Sequence, residues 1–169
     1  MAENIKAIYA TALRNTRALE KQGLEQMERQ LSGLESYPDY AAVLRDHVQT
    51  TRAQLSRLDT ALEAIGEKPS ALKEAVTSVA GTVGALGHAM AGDETLKNLF
   101  AGFAYQYDQI AAYRSLIVIA EAAGQSSQVP QFKSAVEEET KAAERIAALI
   151  EPVTQTYLSH ATAGAKASS

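Results

Sequence analysis

Four long segments of this chain repeat apolar residues at intervals of three and four positions, which is the spacing of one face of an α-helix. The first segment, for example, carries Ile8, Leu13 and Met27 on this face. An amphipathic helix must bury its apolar face, so the chain is constrained to fold as helices packed on one another. The predicted helices span residues 4–34, 38–66, 93–124 and 130–150.

Glycine and proline mark the ends of these helices. Pro38, in the stretch SYPDY, suits the first turn of the second helix and disfavours helical geometry at Tyr37. Gly66 and Gly124 suit the ends of the second and third helices, because glycine adopts the backbone conformation found just after many helices. Pro152 predicts a kink or an end in the fourth helix.

More than twenty residues separate the second helix from the third, and a serine N-cap with Glu74 predicts a short helix there, from Ala71 to Leu86. Two helical hairpins joined by one long crossover are typical of an all-α, ferritin-like antiparallel four-helix bundle. We therefore expect a single bundle domain over residues 1–158 and a disordered tail over residues 159–169.

Composition and charge exclude several classes of function. The formal net charge is -4 and the basic residues form no stripe, so nucleic acid is not an expected partner. The absence of cysteine excludes disulfides and thiolate metal sites. No run approaches the ~20 apolar residues of a membrane span, and no Gly-x-Ser-x-Gly motif supports a hydrolase. We expect a cytoplasmic protein with no membrane partner.

Each long helix carries a polar residue on its apolar stripe. Glu20 interrupts the first stripe, His47 the second and Glu139 the fourth. The third stripe carries Gln106, with Gln109 beside it one turn on. A buried carboxylate is costly unless it meets a metal, a cation, a proton or hydrogen-bond donors. We therefore expect these side chains to meet in the bundle interior.

The neighbouring positions follow the same periodicity. The second stripe is predicted to continue through Thr51 to Leu55. In the acidic run EEE at 137–139 only Glu139 follows the stripe, so Glu137 and Glu138 are expected to face water.

The order and spacing of several motifs resemble the ferritin-like YciF/YciE proteins of bacteria, over residues 5–150. The matching motifs are LEKQ at 19–22, HVQTTRAQLSRLD at 47–59, QYDQIAAY at 106–113, leading into LIVIAEAAG, and VEEETKAAERI at 136–146. The resemblance implies a stress-associated protein without an established biochemical activity and a di-metal carboxylate centre. Thr50, Gln106 and Gln109 stand where the family has carboxylates, and Tyr107 stands where it has a histidine.

Three hypotheses follow for the interior. In the first, the core is polar and metal-free: Gln106 and Gln109 donate amide N–H bonds to the buried carboxylates, and His47 pairs with one of them. In the second, Glu20, His47 and Glu139 hold one iron or zinc ion. The third is an intact di-iron site.

These hypotheses lead to two functions of different classes. With a degenerate metal site and no cofactor, the chain is a non-enzymatic structural or interaction protein of the stress response that forms a homodimer through a bundle face. With iron or zinc bound at Glu20, His47 and Glu139, it is a metalloprotein that binds or oxidises iron.

Overall fold

The computed structural model describes residues 2–67 and 94–167, and the predicted helix from Ala71 to Leu86 lies outside them. Every regular element in the described residues is a helix, which confirms the all-α prediction. The elements are α1 (Ala2–Leu31), α2 (Pro38–Ala64), α3 (Glu94–Ala122), a 3-10 turn (Ser126–Gln128), α4 (Val129–Ala147) and α5 (Ile150–Ala167). None of these described helices has both the length and the apolar character needed to cross a bilayer.

Helices α1 to α4 form two antiparallel hairpins, as predicted. In the first hairpin, Arg14 near the start of α1 bonds to Glu67 just beyond the end of α2, at 2.8 Å. Glu28 near the end of α1 is in turn bonded to Arg52 in the middle of α2, also at 2.8 Å. In the second hairpin α4 packs along α3, and the two hairpins meet through contacts of α1 with α3 and of α2 with α4.

Two apolar clusters fill the two ends of the bundle. The first contains Tyr9, Leu13, Leu58, Ala61, Leu62, Tyr113, Leu116, Ala120, Val129, Phe132 and Ala135. The second contains Met27, Leu34, Tyr40, Ala41, Leu44, Val48, Leu99, Ile146, Leu149 and Val153. Because α2 ends beside the first cluster and α3 begins beside the second, a short loop could not join the two hairpins. The buried polar residues lie between the clusters.

The buried positions alternate at intervals of four and three residues, the spacing of helices that wrap around one another in a bundle. In α2 the buried stripe runs through residues 40, 44, 47, 51, 54 and 58. It therefore passes through Gln54, and the prediction that Leu55 lies on the stripe is corrected, since Leu55 is only half-buried. Likewise Gln109 lies on the stripe of α3, whereas Ile110 is half-buried beside it.

Gly66 and Gly124 end their helices as predicted. Their φ angles are +82° and +74°, in the left-handed region that favours glycine. The N–H of the next residue reaches back to a carbonyl in the last turn of each helix: Glu67 to Leu62 at 3.0 Å, and Gln125 to Ala120 at 2.8 Å. Both helices thus close with the hydrogen bonds of a glycine C-cap.

The break between α4 and α5 precedes Pro152 by four residues. The predicted kink or end at Pro152 is therefore corrected to an interruption at Ala148 and Leu149. A proline in a helix lacks the N–H that would bond to the carbonyl four residues earlier, and its ring collides with that carbonyl. The carbonyl four residues before Pro152 belongs to Ala148, which is the first residue after the end of α4.

Helix α5 continues to Ala167, and so differs from the disordered tail expected over residues 159–169. Val153 buries the first turn of α5 in the second apolar cluster, and the ring of His160 contacts that of Tyr37 at 5.8 Å between centroids. The alanines between residues 161 and 167 have the highest helix propensity of any residue, which favours the continuation of α5.

Close packing of α1 on α3 depends on Gly23. Gly23, and not the half-buried Leu24, occupies the buried stripe of α1. A Cβ atom at this position would lie 2.6 Å from Cε1 of Tyr105, whose ring covers the α1 backbone. The Tyr105 hydroxyl donates a hydrogen bond to the carbonyl of Leu19, which holds the ring in place.

We predict that Gly23→Ala destabilises the fold. The added methyl group must displace the Tyr105 ring, and such overpacking costs about 1–3 kcal/mol, more than the helix propensity that alanine gains. Gly102→Ala is the matched control, because a Cβ there meets no atom within 4 Å; it should raise stability by up to about 1 kcal/mol. Urea denaturation of both variants tests this, and a Gly23→Ala protein as stable as Gly102→Ala would contradict it.

Candidate functional site: a buried polar layer

The structure brings all five polar residues of the predicted stripes into one layer between the apolar clusters. Glu20 and Glu139 are fully buried at 0% exposure, and His47, Gln106 and Gln109 are at most 4% exposed. Thr16, Thr51 and Gln54 are also buried at this level. Hydrogen bonds join these side chains to one another, so they meet in the bundle interior.

His47 links three of the four helices. Its Nε2 lies 3.2 Å from Oε1 of Glu139 on α4, and its Nδ1 lies 3.0 Å from Nε2 of Gln106 on α3. An amide nitrogen can only donate, so Nδ1 accepts and the imidazole proton lies on Nε2, where it is donated to Glu139. Both ring nitrogens of His47 are thereby engaged.

Glu139 is also held by Gln54, a residue that the sequence analysis did not single out. Nε2 of Gln54 donates to Oε1 of Glu139 at 2.7 Å and to Oε2 of Glu138 at 3.1 Å. Glu138 in turn forms an ion pair with Arg57 and is half-buried at the edge of the layer, which corrects the prediction that it faces water. Glu137 is exposed, as expected.

Glu20 accepts a hydrogen bond from Gln109, whose Nε2 lies 2.7 Å from Oε2 of Glu20. Burial, and then repulsion by Glu139, raise the pKa of Glu20 from 4.5 to about 8. Tyr113 lies close enough to lower the pKa of Glu20 slightly, yet neither its hydroxyl nor Oε1 of Glu20 meets the geometry of a hydrogen bond within the described residues. Burial also raises the pKa of the Tyr113 hydroxyl.

Two residues at which the chain departs from the YciF/YciE pattern lie outside the layer. Thr50 is half-buried, and its hydroxyl bonds to the carbonyl of Asp46 in its own helix. Tyr107 is 56% exposed. The four-and-three spacing of α2 passes from Tyr40 through Thr51, which was predicted on the stripe, to Gln54, so the same spacing identifies Gln54 from the sequence.

The donors of the layer do not fit a di-metal centre. Two iron ions bring about four positive charges and draw four or more carboxylates, whereas Glu20 and Glu139 are the only buried carboxylates of the described residues. Amide N–H groups already point at both acids, and both nitrogens of His47 are engaged. Across residues 2–67 and 94–167, no three His, Cys, Asp or Glu side chains are grouped so as to hold a metal ion.

We predict that stability falls as pH rises from about 5 to 8. The folded protein retains a proton on Glu20 up to a pKa of about 8, whereas the unfolded chain releases it near 4.5. The stabilising contribution is therefore complete below 4.5 and lost progressively as pH rises to 8, by at most about 5 kcal/mol at ~1.4 kcal/mol per unit of pKa difference.

Glu20→Gln keeps an oxygen for Gln109 and removes the charge, so its stability should change less over the same range. Urea denaturation at pH 5 and pH 8 in buffer with EDTA measures the difference, with the exposed substitution Glu137→Gln as control. The prediction fails if Glu20→Gln and the unsubstituted protein show the same pH dependence.

Comparison with known proteins places this geometry in a family. The family described as a domain of unknown function (DUF892) matches residues 4–159. A solved structure of a Xanthomonas campestris protein has a TM-score of 0.78 at 22% identity, over 94% of this chain and 99% of that one. The bacterioferritin of Desulfovibrio desulfuricans has a TM-score of 0.74 at 18% identity, over 95% and 90%.

The E. coli stress protein YciF has a TM-score of 0.66 at 19% identity, over 86% of this chain and 94% of that one. At these identities the structures show a shared ferritin-like fold. Together with the family match, they confirm the predicted bundle and its resemblance to the YciF/YciE proteins. This chain belongs to the family described as domain of unknown function DUF892.

Proposed function

We propose that this protein is a non-enzymatic, ferritin-like structural or interaction protein of the stress response. The observation that carries the proposal is that, within residues 2–67 and 94–167, hydrogen-bond donors surround the two buried acids, while the neighbouring carboxylate of Glu138 is paired with Arg57. Gln109 donates to Glu20, while Gln54 and His47 donate to Glu139. The stress association rests on the likeness to the E. coli stress protein YciF.

An N–H group that points at a carboxylate oxygen occupies the place that a metal ion would take and carries a partial positive charge toward it. Gln54 and Gln109 both do so at 2.7 Å. Loading iron would require these amides to turn away. Their carbonyl oxygens, which would then face the metal, are weak ligands for transition metals.

The apolar clusters explain how the bundle stands without a metal. They fill both ends of the bundle with large side chains at 0–9% exposure. Burial of this kind contributes about 25 cal/mol per Å² of apolar surface, so folding does not depend on ligation in the middle. The polar layer then sets which residues face one another, a role that buried polar groups can serve in helical bundles.

We expect the purified protein to add no oxygen-dependent formation of Fe(III) above the uncatalysed background. The layer lacks the carboxylates that would bind two Fe(II) ions and stabilise Fe(III). Tight binding of two equivalents of Fe(II), with oxidation that Glu20→Ala abolishes, would contradict the proposal and support the iron-oxidising alternative at Glu20, His47 and Glu139.

Restoring the missing acids tests the same proposal from the other side. Without metal, Gln106→Glu with Gln109→Glu should lose roughly 1–3 kcal/mol for each acid left unpaired. Fe(II) or Zn(II) should recover this loss. Gln49→Glu on the exposed face of α2 is the matched control and should show neither effect. If the double variant is as stable as the control without metal, the amides do not hold the layer together.

A further inference from the structure

The outer face of α3 carries large apolar side chains that the bundle leaves exposed. Phe100, Tyr107 and Val118 are 48%, 56% and 65% exposed. Ile8 of α1, which lines a surface groove together with Ile119 of α3, is 47% exposed. These residues, with Leu158 on α5, are the exposed large apolar side chains of the described residues. Apolar side chains gathered on one face mark a surface that binds a partner.

The exposed apolar residues of α3 follow the four-and-three spacing of a helix that packs against another helix. From Phe100 the spacing leads through Ala104 and Tyr107 to Ala111, and two turns later to Val118. All five residues are exposed. At 1.5 Å per residue, the stripe is about 27 Å long. Helix α3 therefore has a second packing stripe, opposite the one that it buries in the bundle.

Charge on the exposed side of α3 is sparse and balanced. Between Lys97 and Glu121 the helix carries only two charged residues, Asp108 and Arg114, and both are exposed. Neither forms an ion pair or a side-chain hydrogen bond with the rest of the described residues. They lie three residues to either side of Ala111, which places opposite charges about 4.5 Å along the axis from the middle of the stripe.

A second copy of the chain complements this stripe when its α3 runs antiparallel. A two-fold axis at Ala111 brings residues that are equally far from Ala111 to the same level on the two helices. At each level a large side chain then meets a small one, or a charge meets its opposite: Phe100 with Ala122, Val118 with Ala104, Tyr107 with Ser115, and Asp108 with Arg114. A parallel pairing would instead bring each charge level with its own copy.

We propose that this protein forms a homodimer through the outer face of α3, with the two α3 helices antiparallel and crossing at Ala111. The small side chain of Ala111 lets the helix backbones approach at the crossing, and an Asp108–Arg114 pair lies on either side of it. Interfaces are enriched in aromatic residues and arginine and depleted of lysine and glutamate, and α3 has no lysine or glutamate over residues 98–120. The inference names a partner and a surface for the interaction role proposed above, and in that respect rests on it.

Sedimentation equilibrium of the full chain, from about 1 to 200 µM in buffer with EDTA, tests the proposal. We expect a dimer, and Ala111→Glu should raise its dissociation constant at least tenfold, because it sets a carboxylate against its own copy. Ala53→Glu, at an exposed alanine of α2, is the matched control and should leave the dimer unchanged. Circular dichroism checks that each variant is folded.

A monomer over this concentration range would overturn the proposal and leave the face to another occupant, within the chain or outside it. A dimer that Ala111→Glu leaves intact would also overturn it, because the two copies would then meet through a different surface.

Exchange of the two charges tests the antiparallel arrangement. Asp108→Arg and Arg114→Asp each bring like charges level in the homodimer, so each variant alone should associate more weakly. An equimolar mixture of the two variants should restore the dimer, because in the mixed pair arginine meets aspartate at both places. A mixture that associates no better than the single variants would overturn the proposal.

These measurements contain no iron, so they are separate from the test of the proposed function. A monomer that does not oxidise iron contradicts the dimer alone. A dimer that oxidises iron contradicts the non-enzymatic role and leaves the dimer interface standing.

Discussion

Two carboxylates at the centre of a helical bundle need partners, and the middle of this structure is organised around that requirement. Glu20 and Glu139 are both fully buried. A buried ionised carboxylate without partners would cost several kcal/mol, so the positions around them carry Gln54, Gln109 and His47 as donors. The same burial raises the pKa of Glu20 to about 8.

The apolar clusters confine this layer without depending on it. Each cluster draws residues from all four helices of the bundle, and the four-and-three spacing carries every stripe from one cluster, through the layer, into the other. Because the spacing is continuous, a residue type can change in the layer without a change in the fold. A ferritin-like bundle can therefore keep its architecture with glutamine at positions 106 and 109.

Most of the architecture follows from local patterns in the sequence. Helices α1 to α4, the glycine caps and the burial of the five polar residues follow from spacing and from backbone preferences. Gln54 was not predicted on the buried stripe of α2 because the adjacent Leu55 is more apolar. The four-and-three spacing of the stripe nevertheless favours Gln54. The hydrogen bond between Gln54 and Glu138 depends on the fold, which brings α2 and α4 together. The break at Ala148 depends on the clash of Pro152 with the carbonyl four residues earlier. Apolar periodicity predicts neither feature.

The central claim is that side-chain amides hold the buried carboxylates in place of a di-metal centre. Nuclear magnetic resonance of the side-chain amides tests it most directly, with Zn(II) as a diamagnetic metal and the exposed Gln49 as reference. The account predicts that the Nε2 protons of Gln54, Gln106 and Gln109 exchange slowly with solvent and keep their shifts when two equivalents of Zn(II) are added. Exchange as fast as that of Gln49, or displacement of these signals by Zn(II), would contradict it.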